Sequence, residues 1–213
     1  MPESWGVAGP DIPVGEGTSA GPSRGGTDFP GYTAVNIRNN RLSPHLRHRQ
    51  GGIWLRGGFH QDFGICGDVL FSLVEGQVAF GDNFITVPLM AITEGGLKFP
   101  MPGLLRDFLS YFGLTPCQLS VNCFRIINSC VEICRRRSIE FRLSDLMTMF
   151  TLVRNRKSWK YFLTPRSSKH DIFKRLPDSE KWGSVYLQVY GAYNFLPGSE
   201  DTNAVPTQWG DPG

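Results

Sequence analysis

No apolar run in the 213 residues approaches the roughly 20 that a membrane-spanning helix needs. The opening "MPESWGVAGPDIPVGEG" lacks a basic start followed by an apolar stretch, so no secretory signal is expected. The expected setting is therefore intracellular, nucleus or cytoplasm, with no membrane partner and with cysteines as thiols. Cysteine is itself scarce, with five at positions 66, 117, 123, 130 and 134. Zinc sites pair Cys or His two to four residues apart and match that pair with a second, a pattern missing here. A glycine-rich phosphate loop ending in Lys-Ser/Thr is also missing. So are internal repeats and any sustained heptad.

Catalytic constellations are equally thin. Strand transfer needs carboxylates converging on two metal ions, yet Asp107, Glu132, Glu140 and Asp145 fall on or beside helical patterns. Asp171, Asp178 and Glu180 fall in a loop pattern, and the Asp-Thr of "EDTNAV" is framed by polar residues. A cysteine nucleophile needs a base close by, and no histidine neighbours Cys117 in the sequence. The expectation is a protein that is not an enzyme, with no cofactor and no bound metal.

What is present is charge segregation. Between Arg135 and Lys181 there are 13 Lys/Arg against 5 Asp/Glu, a local +8, while the rest of the chain carries 9 against 14, or −5. The overall +3 conceals this. Separation of this size steers anionic partners without dictating a fold.

Composition divides the chain into three. Residues 1–52 are a Gly/Pro/Ser-punctuated leader ending in the basic linker "RNNRLSPHLRHRQ", expected to be disordered because it offers little apolar area to offset ordering entropy. Residues 53–197 are the expected folded domain, and 198–213 a flexible tail. In "NFITVPLMAI" the β-branched and aromatic run reads as a strand, confined to an edge by Pro88.

The helical signals follow. In "FPMPGLLRDFLSYFG" Pro102 suits a helix start, and Leu104, Leu105, Phe108, Leu109 and Phe112 share one face. Gly113 suits the left-handed residue that ends such a helix. "SVNCFRIINSCVEICRRR" places Cys123, Ile126, Ile127, Cys130, Val131 and Cys134 on a stripe, with Ser120 or Asn122 as cap and three arginines at the negative end of the dipole. "SDLMTMFTLV" reads as a third short helix capped by Ser144, with Leu146, Met147 and Phe150 inward. Then the period changes. "SWKYFLTP" and "GSVYLQVYG" read as two strands, expected to pair antiparallel across a basic loop. The expected fold class is α+β: a compact helical layer of three short helices packed with a small antiparallel sheet, flanked by disordered terminal segments.

The order of "GGLKFPMPGLLRDFLSYFGLTPCQL", "NCFRIINSCVEICRR", "SWKYFLTPR", "RLPDSEKWGSVYLQVYGAYNFLPG" and "PTQWG" resembles the gypsy-type plant transposon domain. The shared features fall on Gly96 to Pro102, Phe108 to Asn122, Phe124–Arg125, Trp159 to Phe162 and Trp182 to Phe195. The resemblance covers about residues 85–210, and Val121 stands where the family often has proline. It implies an origin in a plant transposable element and brings no mechanism with it.

One segment remains with chemistry to offer. Arg154, Arg156, Lys157, Lys160, Arg166, Lys169, Lys174 and Arg175 accompany Trp159, Tyr161 and Phe162. Cations neutralise phosphate while aromatic rings stack on unpaired bases, so the expected partner is single-stranded nucleic acid. The competing expectation is another protein chain or self-assembly, because the two longer helices look more apolar than two short strands can cover. A third is a decayed copy without a selected role.

Overall fold

The computed structural model describes the backbone of residues 46–49 and 52–55, and residues 59–65, 68–74, 78–156, 158–170, 172–173, 176, 185–194 and 204–212. Mixed α+β architecture is what it shows. Strands β1 (Leu46–Arg49) and β2 (Gly52–Leu55) form an antiparallel hairpin. That hairpin straddles the boundary that composition places at residue 52. Helix α1 (Phe59–Phe63) leads into β3 (Val69–Val74).

The largest sheet has the order β3-β7-β4, with β4 at Phe84–Pro88 and β7 at Tyr186–Gly191, both pairings antiparallel. β4 lies at an edge and ends on Pro88, as a residue without an N–H requires. The central strand packs one face into the core. Leu187 and Val189 are buried, as are their partners Val87 and Ile85.

Helix α2 (Leu89–Thr93) follows β4 directly and buries Leu89, Met90, Ala91 and Ile92. α3 (Gly103–Phe112) turns Leu104, Leu105, Phe108 and Leu109 inward. Each fully buried leucine or phenylalanine removes enough apolar surface to contribute ~1.5–3 kcal/mol. Gly113 closes α3 at φ 61°, and the Leu114 N–H returns to the Leu109 carbonyl at 2.9 Å. A side chain at that φ would crowd the backbone.

α4 (Val121–Arg137) buries Cys123, Phe124, Ile126, Ile127 and Cys130. Ser120 occupies its N-cap position without capping it; the hydroxyl lies 3.4 Å from Cys123 Sγ. α5 is shorter than the sequence pattern suggests. It runs Leu143–Met149, and Phe150–Arg154 is strand β5. Its cap is also different: Asp145 Oδ2 accepts the Arg142 N–H at 2.8 Å, in place of a role for Ser144.

β5 pairs antiparallel with β6 (Tyr161–Pro165). The two strands read as partners from sequence, β6 and β7, therefore do not pair with each other. β6 has a local partner one short loop away, whereas β7 enters between two strands more than 90 residues upstream. β6 is also stitched to α4, since the Tyr161 carbonyl accepts the Ser120 N–H at 2.9 Å.

Residues 204–212, expected as a loose tail, pack onto this body. Val205 is 2% exposed and its N–H reaches Asn194 Oδ1 at 3.0 Å. Trp209 meets Phe80 edge-on, at 6.1 Å between ring centroids. The Gln118 amide, fully buried, clasps the Gly210 backbone: Nε2 donates to its carbonyl at 2.6 Å and Oε1 accepts its N–H at 3.3 Å.

Candidate nucleic-acid interface

The acid-free core of the basic region is the β5–β6 hairpin. Between residues 146 and 170 there are six Lys/Arg and no Asp/Glu. Upstream, three of the four arginines from Arg135 to Arg142 are already partnered. Glu132 accepts hydrogen bonds from Arg135 and Arg136, which bring its carboxyl down to about 2. Glu140 pairs with Arg142 at 2.6 Å. The surplus positive charge therefore concentrates on the hairpin and the turn after it.

Strand alternation sorts the hairpin side chains. Phe150, Tyr161 and Leu163 face the core, at 1%, 5% and 8% exposure. Val153 and its cross-strand partner Phe162 lie on the other face, where Val153 is 46% exposed. With Arg154, Asn155, Arg156 and Thr164 they line a shallow groove of about 670 Å³.

The connecting loop closes on itself. The Asn155 N–H donates to the Lys160 carbonyl and the Trp159 N–H to the Asn155 carbonyl, both at 2.9 Å. Asn155 Oδ1 also accepts the Ser158 N–H at 3.3 Å. Trp159 sits at φ 58°, a region costly for an aromatic residue. That conformation sets the indole beneath Arg154, whose guanidinium carbon lies 4.3 Å from the ring centroid and 5.9 Å from that of Tyr161. A guanidinium over an indole face is held by the ring quadrupole.

The candidate residues divide accordingly. Arg154, Trp159 and exposed Arg156 come together at the hairpin end. Lys160 does not join them. It is 5% exposed, and its charge acts on the buried Cys117 thiol. Arg166 lies at the other end of the hairpin, where Nε donates to the Met147 carbonyl at 2.8 Å and the Phe150 carbonyl at 3.2 Å, capping the end of α5. Lys169 is exposed in the 3-10 turn Ser168–His170. Lys157, Lys174 and Arg175 lie outside the described residues.

Sequence reasoning missed Asp211. Its Oδ1 lies 3.5 Å from Arg154 Nη1. Its charge also acts on Tyr161, whose hydroxyl pKa is raised first by burial and further by that carboxylate, against the lowering pull of Arg154. The signal lay in "QWGDP", where a tryptophan and a glycine flank the acid, but nothing local says what they dock against.

Three buried thiols are poorly suited to nucleophilic chemistry. Burial pushes Cys117 up to about 12, outweighing the Thr115 hydrogen bond and the Lys160 charge that act the other way. Burial likewise raises Cys123 and Cys130 to about 11. Among the described residues no three His, Cys, Asp or Glu side chains group to hold a metal ion, and no helix is long and apolar enough to cross a membrane. No family model matches the chain, and neither a curated protein nor a solved structure matches it.

Proposed function

We propose that this chain is a non-catalytic, nucleic-acid-associated domain of the transposon-derived kind its motifs resemble, acting in the nucleus or cytoplasm. The β5–β6 hairpin contacts single-stranded nucleic acid. The observation that carries the reading is the Arg154–Trp159 stack beside exposed Arg156, on a segment with no carboxylate of its own. Arg154 and Arg156 would take phosphates, while Trp159 and the Phe162–Val153 groove would take base faces. Such contacts are tolerant of sequence and sensitive to salt.

The test is anisotropy of a fluorescent oligothymidylate titrated with protein at several salt concentrations. With three or four phosphates neutralised, log K should fall with log salt at a slope of about −2 to −3. Arg154→Glu/Arg156→Glu should weaken binding at least tenfold. Binding that ignores both salt and the double reversal contradicts the reading.

A second reading, a protein-interaction module, draws on a different surface. A groove of about 800 Å³ along α4 is lined by half-exposed Ile133, with Val131 and Phe173, and its rim is of mixed charge, with Arg125 paired to Glu94 and Arg135 and Arg136 to Glu132. If self-association occurs there, Ile133→Glu should convert the dimer to monomer in light scattering. A wild-type protein that is monomeric at high concentration removes self-assembly.

A further inference from the structure

We infer that the segment Val205–Asp211 is an intramolecular strap that competes with anionic ligands at the hairpin, holding Asp211 on Arg154 where a phosphate would sit. The inference rests on the nucleic-acid reading and names how that site is regulated.

The strap is anchored at three points away from the hairpin. Val205 is buried and tied to Asn194, Trp209 packs on Phe80, and Gly210 is clasped by Gln118. Gly210 leaves no latitude, since a Cβ there would lie 1.8 Å from the Gly113 carbonyl oxygen. One residue later the chain delivers Asp211 to Arg154 and Tyr161. The anchoring is therefore firm and the carboxylate contact weak. Asp211 keeps 69% of its side chain exposed and Arg154 36%, so water and salt screen the pair. A weak, solvent-facing ion pair held in place by buried anchors is readily displaced by a better anion without unfolding the body. A phosphodiester carries its charge on two non-bridging oxygens and can take the guanidinium edge that Asp211 occupies. The carboxylate thus lowers the apparent affinity of the hairpin and discriminates against isolated, weakly bound anions.

The experiment compares full-length wild type, Asp211→Asn, Gly210→Ala and Asp62→Asn in the oligothymidylate titration at low salt. Asp62, exposed on α1, controls for net charge alone. Asp211→Asn should tighten binding about two- to fivefold, the range an exposed ion pair permits, and Gly210→Ala at least as much. Asp62→Asn should change affinity by less. Equal affinities of wild type and Asp211→Asn overturn the strap while leaving the hairpin reading intact. The same holds if Asp62→Asn tightens binding as much as Asp211→Asn. If none of the four proteins binds in a salt-dependent way, the hairpin reading fails and the strap fails with it.

Discussion

Replacing Gly210 by alanine perturbs one contact whose consequences can be worked through. The added methyl would lie 1.8 Å from the oxygen and 3.0 Å from the carbon of the Gly113 carbonyl, which are backbone atoms and cannot swing aside. The tail must lift, and two Gln118–Gly210 hydrogen bonds go with it, each contributing about 0.5–1.5 kcal/mol. Val205 leaves a nearly complete burial, at about 1.5–3 kcal/mol. The freed residues regain chain entropy, which offsets much of the loss. A net destabilisation of roughly 2 kcal/mol is the outcome, or about 4–8 °C in Tm for a chain of this length. Differential scanning calorimetry reads the shift, and amide exchange should show Val205–Gly210 losing protection first. Gly103→Ala is the matched control, because its Cβ meets only the Arg106 guanidinium at 3.6 Å and should leave Tm essentially unchanged. A Gly210→Ala protein that melts within about 1 °C of wild type, with unaltered exchange in the tail, refutes the clasp.

Other expectations separate binding from scaffold. Arg166→Ala removes the cap on the α5 carbonyls and should cost about 1 kcal/mol of stability while leaving oligothymidylate affinity within about twofold, a ratio that isothermal denaturation and anisotropy read together. Trp159→Ala should weaken binding by the equivalent of about 1–3 kcal/mol, the range for one stacked base, with a change in melting temperature too small to explain it; an unchanged affinity would remove Trp159 from the interface. Native alkylation at pH 8, followed by mass spectrometry, should label half-exposed Cys134 well before Cys117 and Cys123, whose buried thiols stay protonated. Because the folded state holds those protons to about 12 and 11 while the unfolded chain releases them near the ordinary thiol value of 9.0, stability is fully present below pH 9 and falls as pH rises above it. Chemical denaturation midpoints that hold steady from pH 9 to 11 would contradict the burial of these thiols.

How much of this was legible in the sequence depends on range. α3 was, because Pro102, the inward face from Leu104 to Phe112 and Gly113 are all local signals. β5 was not: Phe150 lies four residues after Leu146, and both are buried, so the helical stripe continues across the point where the backbone extends. The pairing of β7 with β3 and β4 is set by contacts more than 90 residues away, which no local period encodes. At the candidate interface, Arg154 with Trp159 could be proposed from a basic, aromatic run, but the inward turn of Lys160 and the capping use of Arg166 depend on what the hairpin packs against. The tail misled through composition. Glycine and proline usually mark loose chain, yet Gly210 is needed for a close backbone approach.

The central claim is that an anionic strand lies on the β5–β6 hairpin, and backbone amide shift mapping during an oligothymidylate titration tests it most directly. The account predicts graded shifts confined to Val153–Phe162 and to Gly210–Asp211 as the carboxylate is displaced, all reversed by added salt. Shifts that cluster along α4, or none at all at saturating oligonucleotide, would contradict it.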